Sequence, residues 1–408
     1  MGKGLLNKLK LGFVVIPLAF LDLNSVKAQA NENFDFLNYR FKYAPKYNTI
    51  AHKMLQIEDS TLLNYISSSE KRFYYPELGA FPSLKTLDSL VDNSKNYIRK
   101  KENYTKEEIN EISKDIYSEI IKIFPDIKKE RGEIDLCYRT SLIYLAIGEE
   151  NKIPFYASLL PGTPDHIFIR YDPDGQHDPL NQNNSVNERD INIESTTGEI
   201  GNSDDYFINK KCLSKESLEK NPWLKNLNEK ELIGLAYLAR APRDRKYDPP
   251  QTFEDCKKAA ELFPNYYLIH WINAKTLEDV KSWTPNPNDP RRNEKAALYY
   301  QKALELNPKP NIFADRAHYY SWNLKNYKRA IQDYTSALNL IAKEQKECEE
   351  ARYLSQIEVD CIFKRKSAYE EIGDYENAQK DFETWIKFHL GPMVKVPNIY
   401  KKENASKK

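Results

Sequence analysis

Asp135-Leu-Cys137-Tyr-Arg-Thr-Ser-Leu-Ile-Tyr-Leu-Ala-Ile147 is an apolar helical stretch with a cysteine at its head. Twenty-nine residues after that thiol, His166 opens an alternating segment, His166-Ile-Phe-Ile-Arg-Tyr171. A helix N-terminus favours a thiolate, and an imidazole on a nearby strand takes the proton. Outward from this pair, the spacing predicts a helix from Cys137 to near Gly148 and a strand over residues 153–160. A turn at 161–164, a strand at 166–171, a turn-rich insert from Asp172 to Asp190 and a third strand at 191–196 follow. Alternation places Ile167, Ile169 and Tyr171 on one face and His166 and Phe168 on the other. In the third strand Ile191 and Ile193 share a face, opposite Asn192 and Glu194. If the two strands pair, His166 and Glu194 project to the same side.

The surrounding chain has 408 residues, enough for two or three domains. Its 61 Lys plus Arg balance 60 Asp plus Glu, so nothing indicates a global electrostatic pull toward nucleic acid. Lys3, Lys8 and Lys10 precede the apolar run 11–21, and Ala28-Gln29-Ala30 follows, the pattern of a cleaved export signal over residues 1–30. The mature chain is expected to be exported, periplasmic or secreted, with no membrane span. Residues 31–130 read as helical and charged, broken by Pro76, Pro82 and Pro125, with an aromatic loop at 74–82 that seals a core. The end, 396–408, reads as a solvated basic tail.

Five cysteines, at 137, 212, 256, 348 and 361, are an odd number for an oxidising compartment. One free thiol with up to two bridges satisfies the count; burial of Cys256, Cys348 and Cys361 as small apolar residues is the favoured alternative. No cofactor or metal is expected. His177, in Gly175-Gln-His-Asp178, lacks a second histidine nearby and reads as a solvated turn rather than a metal loop.

The C-terminal part carries a repeat. Ala296, Tyr300 and Ala303 recur 34 residues later as Ala330, Tyr334 and Ala337, and 48 residues beyond as Ala378, Phe382 and Trp385. Small residues beside an aromatic let two helices approach while the ring fills the gap. The 48-residue offset predicts a longer first helix or an inserted turn in the last unit. Asn326-Tyr-Lys-Arg-Ala-Ile-Gln-Asp-Tyr-Thr-Ser-Ala337 and Gly373-Asp-Tyr-Glu-Asn-Ala378 resemble the tetratricopeptide inter-helix turn and second helix. His318 departs from that pattern, standing where a small residue is usual.

The block Cys137-Tyr-Arg-Thr-Ser-Leu-Ile-Tyr-Leu-Ala, then Ile153-Pro-Phe-Tyr-Ala, Asp165-His166-Ile-Phe-Ile-Arg and Asn192-Ile-Glu194-Ser-Thr196 resembles the transglutaminase-like superfamily. That resemblance implies an α+β papain/transglutaminase-like domain over 31–230, followed by an all-α tetratricopeptide-repeat domain over 231–395. It implies Cys137 as nucleophile, His166 as base and Glu194, where the family commonly has Asp, as the orienting group. Asp190 and Asn192 stay open as alternative orienters. The functional expectation is a thiol-dependent hydrolase or acyltransferase acting on peptide-type amides, with repeats that bind or position a polypeptide. The rival is a non-catalytic scaffold that retains the fold.

Overall fold

The computed structural model describes residues 44–58, 83–123, 134–162, 165–180, 189–211, 213–244, 249–279, 290–347, 355–391 and 399–400. The expected export signal, the 74–82 loop, the Lys-rich end at 401–408, Cys212 and Cys348 lie outside these residues.

The first part is built on helices α1 (50–58), α2 (Leu84–Ser94), α3 (Lys106–Ile123) and α4 (Ile134–Asn151). After α4 come strands β1 (Phe155–Leu160), β2 (His166–Tyr171), β3 (Ile191–Glu194) and β4 (Glu199–Ile200). They form one antiparallel sheet in the order β1-β2-β3-β4. Strands β1 and β2 pair Phe155 with Tyr171 and Leu160 with His166. Strand β3 sets Ile193 against Ile169 and Asn192 against Arg170. The face bearing Phe155 and Tyr171 packs on α4 through Tyr144, and Tyr104, just before α3, lies edge-on to Tyr171. The opposite face carries Phe168 and the buried Arg170 beneath α5 (Asp204–Lys210). A parallel bridge between Leu159 and Trp223 covers the outer edge of β1, just after α6 (Lys215–Lys220).

Helix α4 departs from its expected limits at both ends. It begins three residues before Cys137, which therefore lies in the first turn rather than at the helix head. It also runs past Gly148 to Asn151. Gly148 is a close-approach residue, not a terminator, since a Cβ there would sit 2.8 Å from the Phe155 ring. Lys152, at φ 58°, turns the chain into β1 instead. The third strand is also shorter than expected. It stops at Glu194, and a turn over 195–198 returns the chain as β4.

From residue 229 onward the described chain is helical. Helices α7 (Glu229–Asp244), α8 (Pro249–Leu262), α9 (Tyr267–Asp279), α10 (Pro290–Leu306), α11 (Pro310–Trp322), α12 (Tyr327–Glu347), α13 (Ser355–Glu371) and α14 (Tyr375–Leu390) pack as consecutive hairpins. Ala296, Tyr300, Ala303, Ala330, Tyr334 and Ala337 are all fully buried, as their spacing requires. At the contact near His318 the small residue is its neighbour Ala317, fully buried, while His318 stacks on the exposed Trp322. The longer last offset has a physical counterpart: α12 has 21 residues against 17 in α10, and α13 has 17 against 13 in α11. Three hairpins also share a bidentate ion pair between their helices, Arg240–Asp255, Arg316–Asp333 and Arg365–Asp381.

One apolar core runs without interruption from Ala51 through the sheet to Trp223, Leu232, Phe263 and Tyr319. A second, smaller cluster lies between α11, α12 and α13. Cys137, Cys256 and Cys361 are buried and form no disulfide, so the two-bridge solution to the cysteine count is ruled out. Tyr400, inside the expected 396–408 tail, is buried against Tyr375 and Glu370 instead of solvated. Among the described residues no helix is long and apolar enough to cross a membrane.

Candidate active site

The first turn of α4, the start of β2 and the end of β3 meet at one end of the sheet. Ser195 makes this junction, with its hydroxyl 2.9 Å from Thr140 Oγ1 and 3.1 Å from Ser141 Oγ on α4. One further step along the β2–β3 register brings Glu194 level with Phe168, on the face that carries His166. His166 Nε2 lies 2.7 Å from Glu194 Oε2. The ring is also hydrogen-bonded to the Cys137 side chain. With Nε2 engaged by the carboxylate, Nδ1 is the nitrogen left for the sulfur.

Glu194 is held by its own turn. Its second oxygen accepts from Thr196 N–H at 3.2 Å and from the Thr196 hydroxyl at 2.7 Å. The carboxylate is folded back and held, presenting one oxygen to the imidazole. Gly198, at φ +71°, closes this turn under Tyr117, where a Cβ would approach to 2.4 Å. Thr196 is the member that sequence reasoning passed over; its signal was a hydroxyl two residues after the carboxylate.

Burial works against a charged His166 ring, but its bonds to Cys137 and Glu194 prevail and raise its pKa to about 10. Burial likewise pushes the Glu194 carboxyl up, and His166 and Thr196 together hold it below its ordinary value. The arrangement thus keeps an imidazolium fixed between a thiol sulfur and a carboxylate. Chemically, such a set can hold a nucleophilic sulfur and return a proton to a leaving group.

The two alternative orienters are placed elsewhere. Asn192 accepts from Arg170 Nε at 2.9 Å and donates to Asp204 at 2.8 Å. Asp190 lies 2.6 Å from His177 Nδ1, and Asp204 lies 2.7 Å from His177 Nε2. His177 is therefore no solvated turn: its ring, with only 3% of the side chain exposed, sits between two carboxylates. Arg170, with no exposed side chain, completes that cluster by a bidentate contact with Asp204. The cluster borders a cavity of about 480 Å³ lined also by Tyr104, Tyr171 and Ser203. That cavity opens at the far end of β2 from His166, so its size says nothing about the chemistry at Cys137. Among the described residues no group of three or more His, Cys, Asp or Glu is arranged to hold a metal ion.

No model of a known protein family matches this chain, and a comparison with curated proteins finds no match.

Proposed function

We propose that this chain is an exported, thiol-dependent hydrolase or acyltransferase acting on peptide-type amides, with a papain/transglutaminase-like first part and tetratricopeptide-like repeats that position a polypeptide. The observation that carries the reading is the continuous set Cys137–His166–Glu194, assembled from α4, β2 and β3 in that chain order. His166, hydrogen-bonded to the sulfur, is placed to hold the proton that the attacking sulfur gives up. The thiolate attacks the carbonyl carbon, the carbonyl electrons move to oxygen, and collapse expels an amine that takes its proton from His166. The resulting thioester is released by water or by a second amine. Glu194 fixes the ring and stabilises its positive charge throughout. The paired helices from residue 229 onward, with buried Ala and Tyr at the 34-residue offset, support the repeat reading.

One observation favours the scaffold reading: Cys137 is only 6% exposed, and a nucleophile must be reached by its substrate. Incubation of the full chain with unstructured polypeptide and a fluorescent primary amine separates the cases. Peptide cleavage or amine incorporation, lost in Cys137→Ser, is the expected result. Cleavage without incorporation assigns hydrolysis; neither, in a folded chain whose Cys137 is reached by small thiol reagents, rejects the proposed activity.

A further inference from the structure

Asp165, the residue before His166, has a side chain only 2% exposed, yet all its partners except Gly162 come from the helical half of the chain. Its Oδ1 accepts from Gly162 N–H at 3.0 Å and from Lys309 Nζ at 2.9 Å, and its Oδ2 accepts from the Tyr266 hydroxyl at 2.9 Å. Lys309 spends its other two ammonium hydrogens on Gly162 O at 3.0 Å and Tyr267 Oη at 2.8 Å. Its Nζ also lies 4.6 Å from the Tyr267 ring centroid and 5.9 Å from that of Trp223. Gly162 and Asp165 are thereby both tied to one cation.

That cation leaves from a fixed point. Lys309 is the N-cap of α11, extended at φ −104° and ψ 145°, with Pro310 next and its carbonyl accepting from Ile312 and Phe313. Tyr266 stands just before α9, stacked on Phe263 and edge-on to Trp223. Burial, and then the nearby Asp165 and Cys137, raise the pKa of its hydroxyl, which puts the Asp165 contact and the sulfur in one locality.

We infer that Lys309 is a positioning residue for His166, acting through Asp165, so that the helical half completes the site rather than hanging from it. This rests on the reading of Cys137, His166 and Glu194 as the reacting set. A desolvated ion pair often stabilises a fold no better than apolar side chains of equal volume, so the role inferred for this one is to define register rather than to add stability. Successive Cα atoms are about 3.8 Å apart, so a shift at Asp165 is a shift at His166. A displacement of about 1 Å is enough to cost roughly a hundredfold in rate.

The test is the ring titration of His166, followed by nitrogen NMR in the full chain carrying Asp165→Asn with Lys309→Met. Both charges go together, so the local net charge is unchanged, and a shift reports lost contact with Cys137 and Glu194. The titration is expected to fall from about 10 toward the ordinary 6.5. Protection of the buried Cys256 and Cys361 from thiol reagents verifies folding. Tyr266→Phe, which removes one neutral donor from the same carboxylate, is expected to move the titration less, in the same direction. A midpoint still near 10 in the folded double variant, or in Tyr266→Phe if the double variant does not fold, overturns the inference. An unreactive Cys137 in the unsubstituted chain would count against the proposed activity instead, and is read by a separate measurement.

Discussion

His166 Nε2 lies 2.7 Å from Glu194 Oε2, and the other oxygen of that carboxylate is held by the Thr196 hydroxyl at 2.7 Å. One side chain thus orients the ring while its own turn fixes its direction. Glu194→Gln keeps an acceptor but removes the charge that stabilises the imidazolium. It is expected to lower turnover on the order of 10²- to 10⁴-fold, with Thr196→Val costing about tenfold. Measured kcat/KM for an amide substrate, or the alkylation rate of Cys137 where no substrate is in hand, checks both. Equal rates in wild type and Glu194→Gln would contradict the orienting role.

The same pair makes folding stability depend on pH. His166 is raised to about 10 from an ordinary 6.5, so its contribution is fully present below about pH 6.5 and is lost as pH rises through about 10. Glu194 is depressed below its ordinary 4.5; its contribution is present above that value and lost as pH falls through the lowered one. Urea midpoints of wild type minus those of His166→Gln isolate the first effect from His177, whose pKa is also raised, against its own burial, by Asp190 and Asp204. The difference is expected to shrink between pH 7 and 10; a constant difference contradicts the assignment.

Gly198→Ala tests the turn that carries Glu194. Alanine there meets both a positive φ and Tyr117 Cβ at 2.4 Å. A loss of about 1–3 kcal/mol in denaturant unfolding is expected, together with slower alkylation of Cys137. Unchanged stability would mean that the turn is not constrained as described.

His177→Ala removes the ring that bridges two carboxylates, leaving Asp204 its bonds to Arg170 and Asn192 but taking from Asp190 the bond at its Oδ2. Asp190 is then left without that partner in a site where the His177 side chain was 3% exposed and only Asp204 keeps Arg170. Breaking a buried pair in this way costs about 3–5 kcal/mol, read by chemical denaturation. A cost below about 1 kcal/mol would place His177 in a solvated turn after all.

Much of this site was legible because a strand has a period of two. Ile167 and Ile169 marked one face of β2, and the same count put His166 and Glu194 together on the other. The choice among Glu194, Asn192 and Asp190 was not legible. It depends on which charged neighbour each meets, and Arg170, fully buried opposite Asn192, takes the amide away. His177 escaped for a related reason, since its partners lie 13 and 27 residues away and no local pattern marks them. The helix end at Gly148 misled because glycine serves close packing as well as termination. In the repeats, Ala and Tyr spacing announced the hairpins. The recurring Arg–Asp pairs, separated by 15, 17 and 16 residues, were a second signal present in the sequence.

Site-selective alkylation of the five cysteines at pH 6.5, read by peptide mass spectrometry, tests the nucleophile most directly. Cys137 is expected to react at least about tenfold faster than Cys256 or Cys361, whose thiols burial pushes up to about 12, and to lose that advantage in His166→Ala. Labelling of Cys137 no faster than those two, or unaffected by His166→Ala, would contradict a thiol held ready by its histidine.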